Sequence, residues 1–317
     1  MRKKPCTHAG AVVAQLGLNL AGVVDANAQN AELFKEMFSI PWSGQSVSAG
    51  LDAVQPDTVI VAVPYQVQQR VVREIVASPY RPRRLVLEKP LAADLADAHA
   101  ILEACRDAGI MTLVNNECGA PVIAQIERIL ADSYDNEVIS ISAWCSSGLH
   151  AVGIHVLGML RYLFGPVEWV RAVAETEHVA SLPFSTNFTP DDPRVHAMLG
   201  FRSGQTGFLT NSALTRYTCK ELEVTCRGGR LRLSDNGNRL ETWGTAVPGE
   251  STVSYRLADP EVITIEQGTV FSRIAGFLAS DDETAGQDVL GLDIALDTYR
   301  LLDALIASSQ ANKEVRL

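Results

Sequence analysis

Three segments of the 317-residue chain set reactive side chains at the end or on the face of a structural element. Asp25 closes the apolar run Leu18-Asn19-Leu20-Ala21-Gly22-Val23-Val24, and Glu88-Lys89-Pro90 follows Arg84-Leu85-Val86-Leu87. His155 sits on a helical pattern whose apolar face is Val152, Val156, Met159, Leu160 and Leu163. A carboxylate at a strand end can accept hydrogen bonds from the ribose hydroxyls of an adenine dinucleotide and repel a 2′-phosphate. Aspartate is equally a favoured helix N-cap. A lysine at the carboxyl end of a parallel strand faces the crevice where open α/β sheets bind ligands, and a proline after it can fix a cis bond that aims it. A plain strand-end charge pair has the same composition. An imidazole can accept or give a proton near neutrality, yet a histidine on an apolar helix is also at home in packed core or at the surface. His150 carries the same alternatives.

The elements that must position these groups divide the chain in two. Strand patterns at Leu18–Val24, Thr58–Val63, Arg84–Leu87 and Ile110–Val114 alternate with helical ones at Ala28–Phe38, Val67–Ala77 and Leu95–Ala108. Short apolar strands separated by helices of that length predict βαβ units and a parallel sheet. Ahead of them, Ala9, Val12, Val13 and Leu16 lie at helical spacing, and Gly17 ends that helix. After a helix near Pro121–Leu130 the texture changes. Val138–Trp144, Val167–Glu175, Val195–Phe201, Thr206–Ala213, Glu221–Cys226 and Arg230–Leu233 read as strands of an antiparallel sheet. One long helix, His150–Phe164, interrupts them, and another near Val289–Ser308 closes the chain. The expected class is α/β plus α+β: a first domain at 1–118, and a second at 119–317 whose last helix packs back on the first.

A formal net charge of -10 excludes a bulk electrostatic grip on nucleic acid or anionic lipid. The basic run Tyr80-Arg81-Pro82-Arg83-Arg84 is short enough to be a solvated loop. Cysteines at 6, 105, 118, 145, 219 and 226 show no metal-ligand spacing, so reduced and mostly buried thiols are expected, without a metal. The stretch Pro5–Val24 follows three basic residues and could imitate a signal or a membrane span, with Ala26-Asn27-Ala28 as its cleavage site. Thr7, His8, Gln15, Asn19 and Asp25 argue against both, and a cytoplasmic location is expected. Ser181–Pro193 reads as a surface loop, within which Asn187-Phe188-Thr189 is an idle glycosylation sequon.

Together the segments resemble the Gfo/Idh/MocA family, the glucose–fructose oxidoreductase and inositol dehydrogenase group of NAD(P)-dependent enzymes. Val86-Leu87-Glu88-Lys89-Pro90-Leu91 is similar to that family's Glu-Lys-Pro signature. Gly153-Ile154-His155 with Leu160-Arg161-Tyr162-Leu163-Phe164-Gly165 resembles its Gly-x-His helix, Val63-Pro64 its strand-end proline at the cofactor, and Asp25 its ribose-binding acid. The resemblance implies a Rossmann-type domain followed by an open, mainly antiparallel sheet, with the active site between them. It further implies that Asp25, Pro64, Gln68, Glu88 and Lys89 serve an NAD cofactor, with NADP disfavoured. Lys89 and His155 would then act as the catalytic pair on a secondary hydroxyl of a sugar, nucleotide-sugar or cyclitol. A homo-oligomer formed through the open sheet is implied as well. A non-catalytic relative that binds a sugar-like ligand or a protein partner is the alternative.

Several positions depart from the family pattern. Ala151 and Gly158 stand where aspartates usually flank the catalytic histidine, Gln68 replaces a histidine, and Cys118 stands where an arginine often follows Asn115-Asn116-Glu117. No glycine-rich phosphate loop precedes the first strand. In the sheet order 3-2-1-4-5-6 the missing strand is central, and losing it would leave buried backbone groups unsatisfied at about 1–3 kcal/mol each. A start assigned about 15–25 residues late, roughly one strand plus one loop, is the simplest account. In-frame codons upstream of Met1 are therefore expected to encode an apolar strand and a glycine-rich turn. A stop codon directly before Met1 in the genomic sequence would overturn that expectation and favour the non-catalytic alternative.

Overall fold

The computed structural model describes residues 7–92, 94–116, 120–175, 192–212, 217, 219–245, 257–263, 265, 269–282 and 284–317. Cys6, Cys118, Glu117, residues 181–191 of the expected surface loop and the sequon within it lie outside these. The chain forms two compact units, Met1–Ala120 with Gly268–Leu296, and Pro121–Gln267 with Asp297–Leu317.

Unit 1 is built from short parallel strands and the helices that cover them. Helix α1 (His8–Ala14) starts at Thr7, whose hydroxyl accepts from Gly10 N, and the chain turns at Gly17 with φ +85°. Strand β1 is Gly22–Val24, shorter than Leu18–Val24, because its parallel partner β2 (Trp42–Gly44) offers only three residues for pairing. Between them runs α2 (Ala28–Phe38), and α3 (Val47–Val54) follows. Strands β3 (Thr58–Val61), β4 (Arg84–Leu87) and β5 (Met111–Val114) form a second parallel sheet in the order β3-β4-β5. Helices α4 (Tyr65–Ala77) and α5 (Leu95–Asp107) make the crossovers that parallel pairing requires. The break between the two sheets falls between β1 and β3, the strands that flank the central position of the 3-2-1-4-5-6 order.

Register decides what this unit presents. Val61 pairs with Leu87, and Leu87 with Val114, so the carboxyl ends of β3, β4 and β5 lie level. Glu88 N then donates to Val61 O and Asn115 N to Leu87 O. The residues that follow each strand therefore emerge along one edge. In the basic run, Arg81 and Arg83 are exposed, whereas Arg84 belongs to β4 and donates to Leu278 O at 2.8 Å. Leu278 ends α8 (Val270–Leu278), the amphipathic helix with which the chain returns to this unit.

Unit 2 is one large sheet with helices against one face. After α6 (Pro121–Tyr134) come β6 (Val138–Ser146), β7 (Val167–Ala174), β8 (Val195–Phe201), β9 (Thr206–Ser212), β10 (Lys220–Cys226), β11 (Gly229–Ser234), β12 (Arg239–Gly244) and β13 (Glu261–Ile263). With β14 (Val315–Arg316) they pair in the order β13-β12-β11-β10-β6-β9-β8-β7-β14. The sheet is mostly antiparallel rather than purely so, since β6 and β9 run parallel. That pairing needs a long crossover, supplied by α7 (Ile154–Phe164) together with β7 and β8. Period-two alternation sends Ile141, Leu199, Leu209, Leu222, Val224 and Leu231 into the core. The opposite face carries the pairs Arg232–Glu221 and Arg230–Glu223, and the exposed Val173, Met198 and Phe208.

Two helices differ from the sequence expectation. His150–Phe164 is not uniformly α-helical: Leu149–Gly153 form a π-turn, and α7 begins at Ile154. The closing helix breaks at Gly291 into α9 (Gln287–Leu290) and α10 (Leu292–Ala311). Within unit 2, Ser308 on α10 is fully buried and its hydroxyl accepts from Ala172 N, tying the helix to β7. Among the described residues no helix is long and apolar enough to cross a membrane. Cys105, Cys145, Cys219 and Cys226 are buried free thiols, and burial pushes Cys145 up to about 12 and Cys226 to about 11.

Candidate functional site

The level edge of β3, β4 and β5 collects most of the residues singled out in unit 1. Pro64 precedes the first turn of α4, and its carbonyl accepts from Val67 N at 3.0 Å. One turn in, Gln68 is fully buried, and its amide nitrogen donates to Glu88 O at 2.9 Å and to Leu91 O at 3.1 Å. Gln68 thereby clamps both ends of the segment that carries Lys89. The Lys89–Pro90 peptide is cis.

Glu88 is the hub. Its Oε1 is 2.7 Å from His8 Nε2 and accepts from Asn115 Nδ2 at 2.7 Å, while Oε2 accepts from Lys89 N at 3.3 Å. Burial raises the proton affinity of this carboxyl. The hydrogen bonds from His8 and Asn115, the His8 charge and the Lys89 backbone N–H outweigh it, so the net position is below the ordinary glutamate value. His8 is held from its other side by Phe271, edge to face at 4.8 Å. Sequence reasoning assigned no role to His8 or Asn115. The signal for Asn115 was present, since it is the first residue after a strand in register with β4, but His8 lies 80 residues from Glu88.

Asp25 follows β1, and its backbone N donates to Gly44 O at 3.0 Å. The N-cap of α2 is Asn27, whose side chain accepts from Gln29 N and Asn30 N, so the capping explanation for Asp25 falls away. Its Oδ1 instead accepts from Asn27 N at 2.8 Å, which holds the carboxylate at the strand end. Two further acceptors bear on a ligand. Gln68 Oε1 and Asn115 Oδ1 are buried with no hydrogen-bond partner among the described residues, and both residues bond Glu88 through their amide nitrogens. Buried acceptors are normally satisfied, so donors of a bound molecule such as an amide or hydroxyl fit this edge. A carboxylate at the end of β1 and unsatisfied buried acceptors on the edge that carries Lys89 are groups of the kind that fit a nicotinamide dinucleotide.

In unit 2, His155 occupies the first turn of α7 and is partly exposed, while Val156, Met159 and Leu160 from the same helix are buried. Tyr162 donates to Glu127 Oε2 at 2.9 Å on an exposed face. His150 is the residue that sequence reasoning undervalued. Its Nδ1 is 3.0 Å from Asp192 Oδ1, a carboxylate 42 positions away that no local pattern could associate with it.

Comparison with known proteins agrees with this construction. Residues 6–117 match the model of an oxidoreductase family with an NAD-binding Rossmann fold, and residues 117–232 match the GFO/IDH/MocA C-terminal domain. The chain belongs to the Gfo/Idh/MocA oxidoreductase family. A D-apiose dehydrogenase of Paraburkholderia graminis is 25% identical to it over 95% of this chain and 84% of its own length. The structure of aldose-aldose oxidoreductase from Caulobacter crescentus, complexed with glycerol, has a TM-score of 0.80 at 17% identity, covering 97% of this chain and 94% of that one. The WlbA dehydrogenase from Bordetella pertussis, in complex with NADH and UDP-GlcNAcA, has a TM-score of 0.76 at 18% identity over 98% and 94%. At such identities the structural likeness establishes the fold. NAD is the cofactor of the family model's Rossmann domain.

The Glu88 network makes a pH prediction. A carboxyl whose folded-state proton affinity is depressed stabilises the fold above its unfolded pKa of about 4.3, and that contribution disappears as pH falls through the folded value. Urea unfolding should therefore show the parent losing stability more steeply than Glu88→Gln as pH falls from about 5 to about 3. Parallel pH profiles for the two proteins would contradict the network.

Proposed function

We propose that this protein is an NAD(H)-dependent oxidoreductase that moves a hydride to or from a secondary alcohol or ketone of a sugar, nucleotide-sugar or cyclitol. The observation that carries the reading is the level strand edge on which Glu88, Gln68 and Asn115 hold the Lys89 segment in place. The named relatives, acting on or bound to carbohydrate-type molecules, support the substrate class.

When bound, the dinucleotide supplies the hydride acceptor or donor. The chain's own residues do the rest. Asp25 accepts hydrogen bonds from the adenosine ribose and disfavours a 2′-phosphate. Glu88, ionised and held by His8 and Asn115, keeps the backbone before Lys89 in one position. Lys89 and His155 then share the substrate hydroxyl, one accepting its proton and the other polarising the oxygen. Lysine has a reference pKa of about 10.4, so partial burial beside the cofactor is what would fit it for that work. We also propose that the protein associates with a second copy of itself through the outer sheet face. Met198 and Phe208 are cross-strand neighbours there, and both are exposed together with Val173. Buried cysteines carried as thiols favour a reducing, cytoplasmic home.

Cofactor titration and steady-state turnover on a carbohydrate panel test the reading together. NAD(H) should bind more tightly than NADP(H), and Asp25→Ser should narrow the difference. Lys89→Ala and His155→Ala should each lower turnover by about 10²–10⁴-fold while leaving cofactor affinity nearly intact. Because Lys89 belongs to unit 1 and His155 to unit 2, the double variant measures their kinetic coupling. Its loss should fall well short of the product of the single losses. Folded single variants within about threefold of the parent would remove this pair from the acid–base chemistry. NAD binding without turnover on any panel member would favour the non-catalytic alternative, to which Ala151 and Gly158 point.

A further inference from the structure

His150 and Asp192 form a pair that the chemistry above does not use. The Asp192 side chain is 5% exposed and that of His150 22%. One carboxylate oxygen, Oδ1, accepts from His150 N at 2.9 Å and meets His150 Nδ1 at 3.0 Å, and the other accepts from Ala151 N at 2.9 Å. Leu149 N donates to Pro193 O at 2.8 Å, so the strand entering β8 is laced along this turn. Gly148 makes room for it, since a Cβ there would lie 2.0 Å from Asp192 Cγ.

Capping accounts for the two backbone bonds, because the first N–H groups of a helix need acceptors. It does not account for the bond to the ring. An ionised carboxylate can only accept, so Nδ1 is the donor, and in the neutral imidazole the lone pair is on Nε2. The turn itself adds a second observation. Gly153 N donates to Gly148 O and Ile154 N to Leu149 O, both spanning five residues. In an α-helix, residues five apart point about 140° away from each other. The π-turn Leu149–Gly153, with its i→i+5 bonds, departs from that spacing at position 150. Ala151 and Gly158 offer no polar side chain on this helix, whereas His150 offers an oriented, partly exposed imidazole.

We propose that His150, positioned by Asp192, determines specificity by accepting a hydrogen bond at Nε2 from a substrate hydroxyl next to the one that reacts. This inference rests on the oxidoreductase reading.

The test compares aldopentoses, aldohexoses and cyclitols with matched analogues lacking the adjacent hydroxyl, following NADH formation. The parent should favour the hydroxylated member by about 100-fold or more in kcat/KM, because a site built around a hydroxyl leaves its own group unpaired with the deoxy compound. His150→Phe should bring that ratio within about fivefold, acting more on KM than on kcat, and His150→Gln, which keeps an acceptor, should restore part of it. Nitrogen-15 long-range correlation spectra of the ligand-free protein should show the His150 proton on Nδ1 in the parent and a changed tautomer balance in Asp192→Asn. Should Asp192→Asn fail to fold, the two His150 variants decide the question. Turnover with the same ratio in the parent and in folded His150→Phe overturns this inference and leaves the oxidoreductase reading standing. A parent without turnover on the whole panel overturns that reading, and this inference with it.

Discussion

The Glu88 carboxylate is the point through which unit 1 is tied together. It receives a histidine from the first helix and an asparagine from the end of β5, and Gln68 on α4 holds the carbonyls on either side of the lysine segment. Asn115 and the Gln68-clamped segment meet because the strand ends are level, and the strand ends are level because parallel register pairs Val61, Leu87 and Val114. An ion inside a protein is tolerated when its lone pairs are answered. Here they are answered by groups that also fix the backbone before Lys89, so the cost of burying the charge is offset by the bonds that build the site.

Unit 2 reaches order by a different route. Its sheet buries one face through strict alternation, and the other face is covered with cross-strand ion pairs at one end and exposed apolar residues at the other. Exposed pairs of this kind contribute little to stability. The apolar face of the sheet, together with α7 and α10, carries the energy. Ser308 shows how polar groups are fitted into that core: its hydroxyl accepts from a strand N–H and donates to Lys313 O, so neither carbonyl nor amide is left orphaned. Asp192 does the same work at the start of the Leu149 turn, where it answers two backbone amides and an imidazole at once.

Much of the architecture was readable from local pattern. The helix Ala28–Phe38 and the strands Arg84–Leu87 and Val195–Phe201 coincide with their expected limits, since each has an unbroken period and clear boundary residues. Strand β2 at Trp42–Gly44 was invisible, three residues being too few to display alternation. The parallel pairing of β6 with β9 was also hidden, because residue alternation is the same whichever way a neighbour runs. Around the site, the motif Glu88-Lys89-Pro90 and the strand-end position of Asp25 could be read directly. That Asn27, rather than Asp25, caps α2 could not, because both residue types favour that position.

The family and its NAD cofactor came with the resemblance that the Glu-Lys-Pro and Gly-x-His segments carry, and the sequence by itself determined the two-part organisation and the residues that stand at strand ends. These follow from periodicity and from motifs whose members are close in sequence. Only the tertiary structure decided what each of those residues touches. His8 meets Glu88 across 80 positions and Asp192 meets His150 across 42, and such contacts depend on register and helix geometry that local propensity does not encode. A hydrogen bond is selected by distance and angle in the folded chain. Residue type announces only that a donor or an acceptor is present.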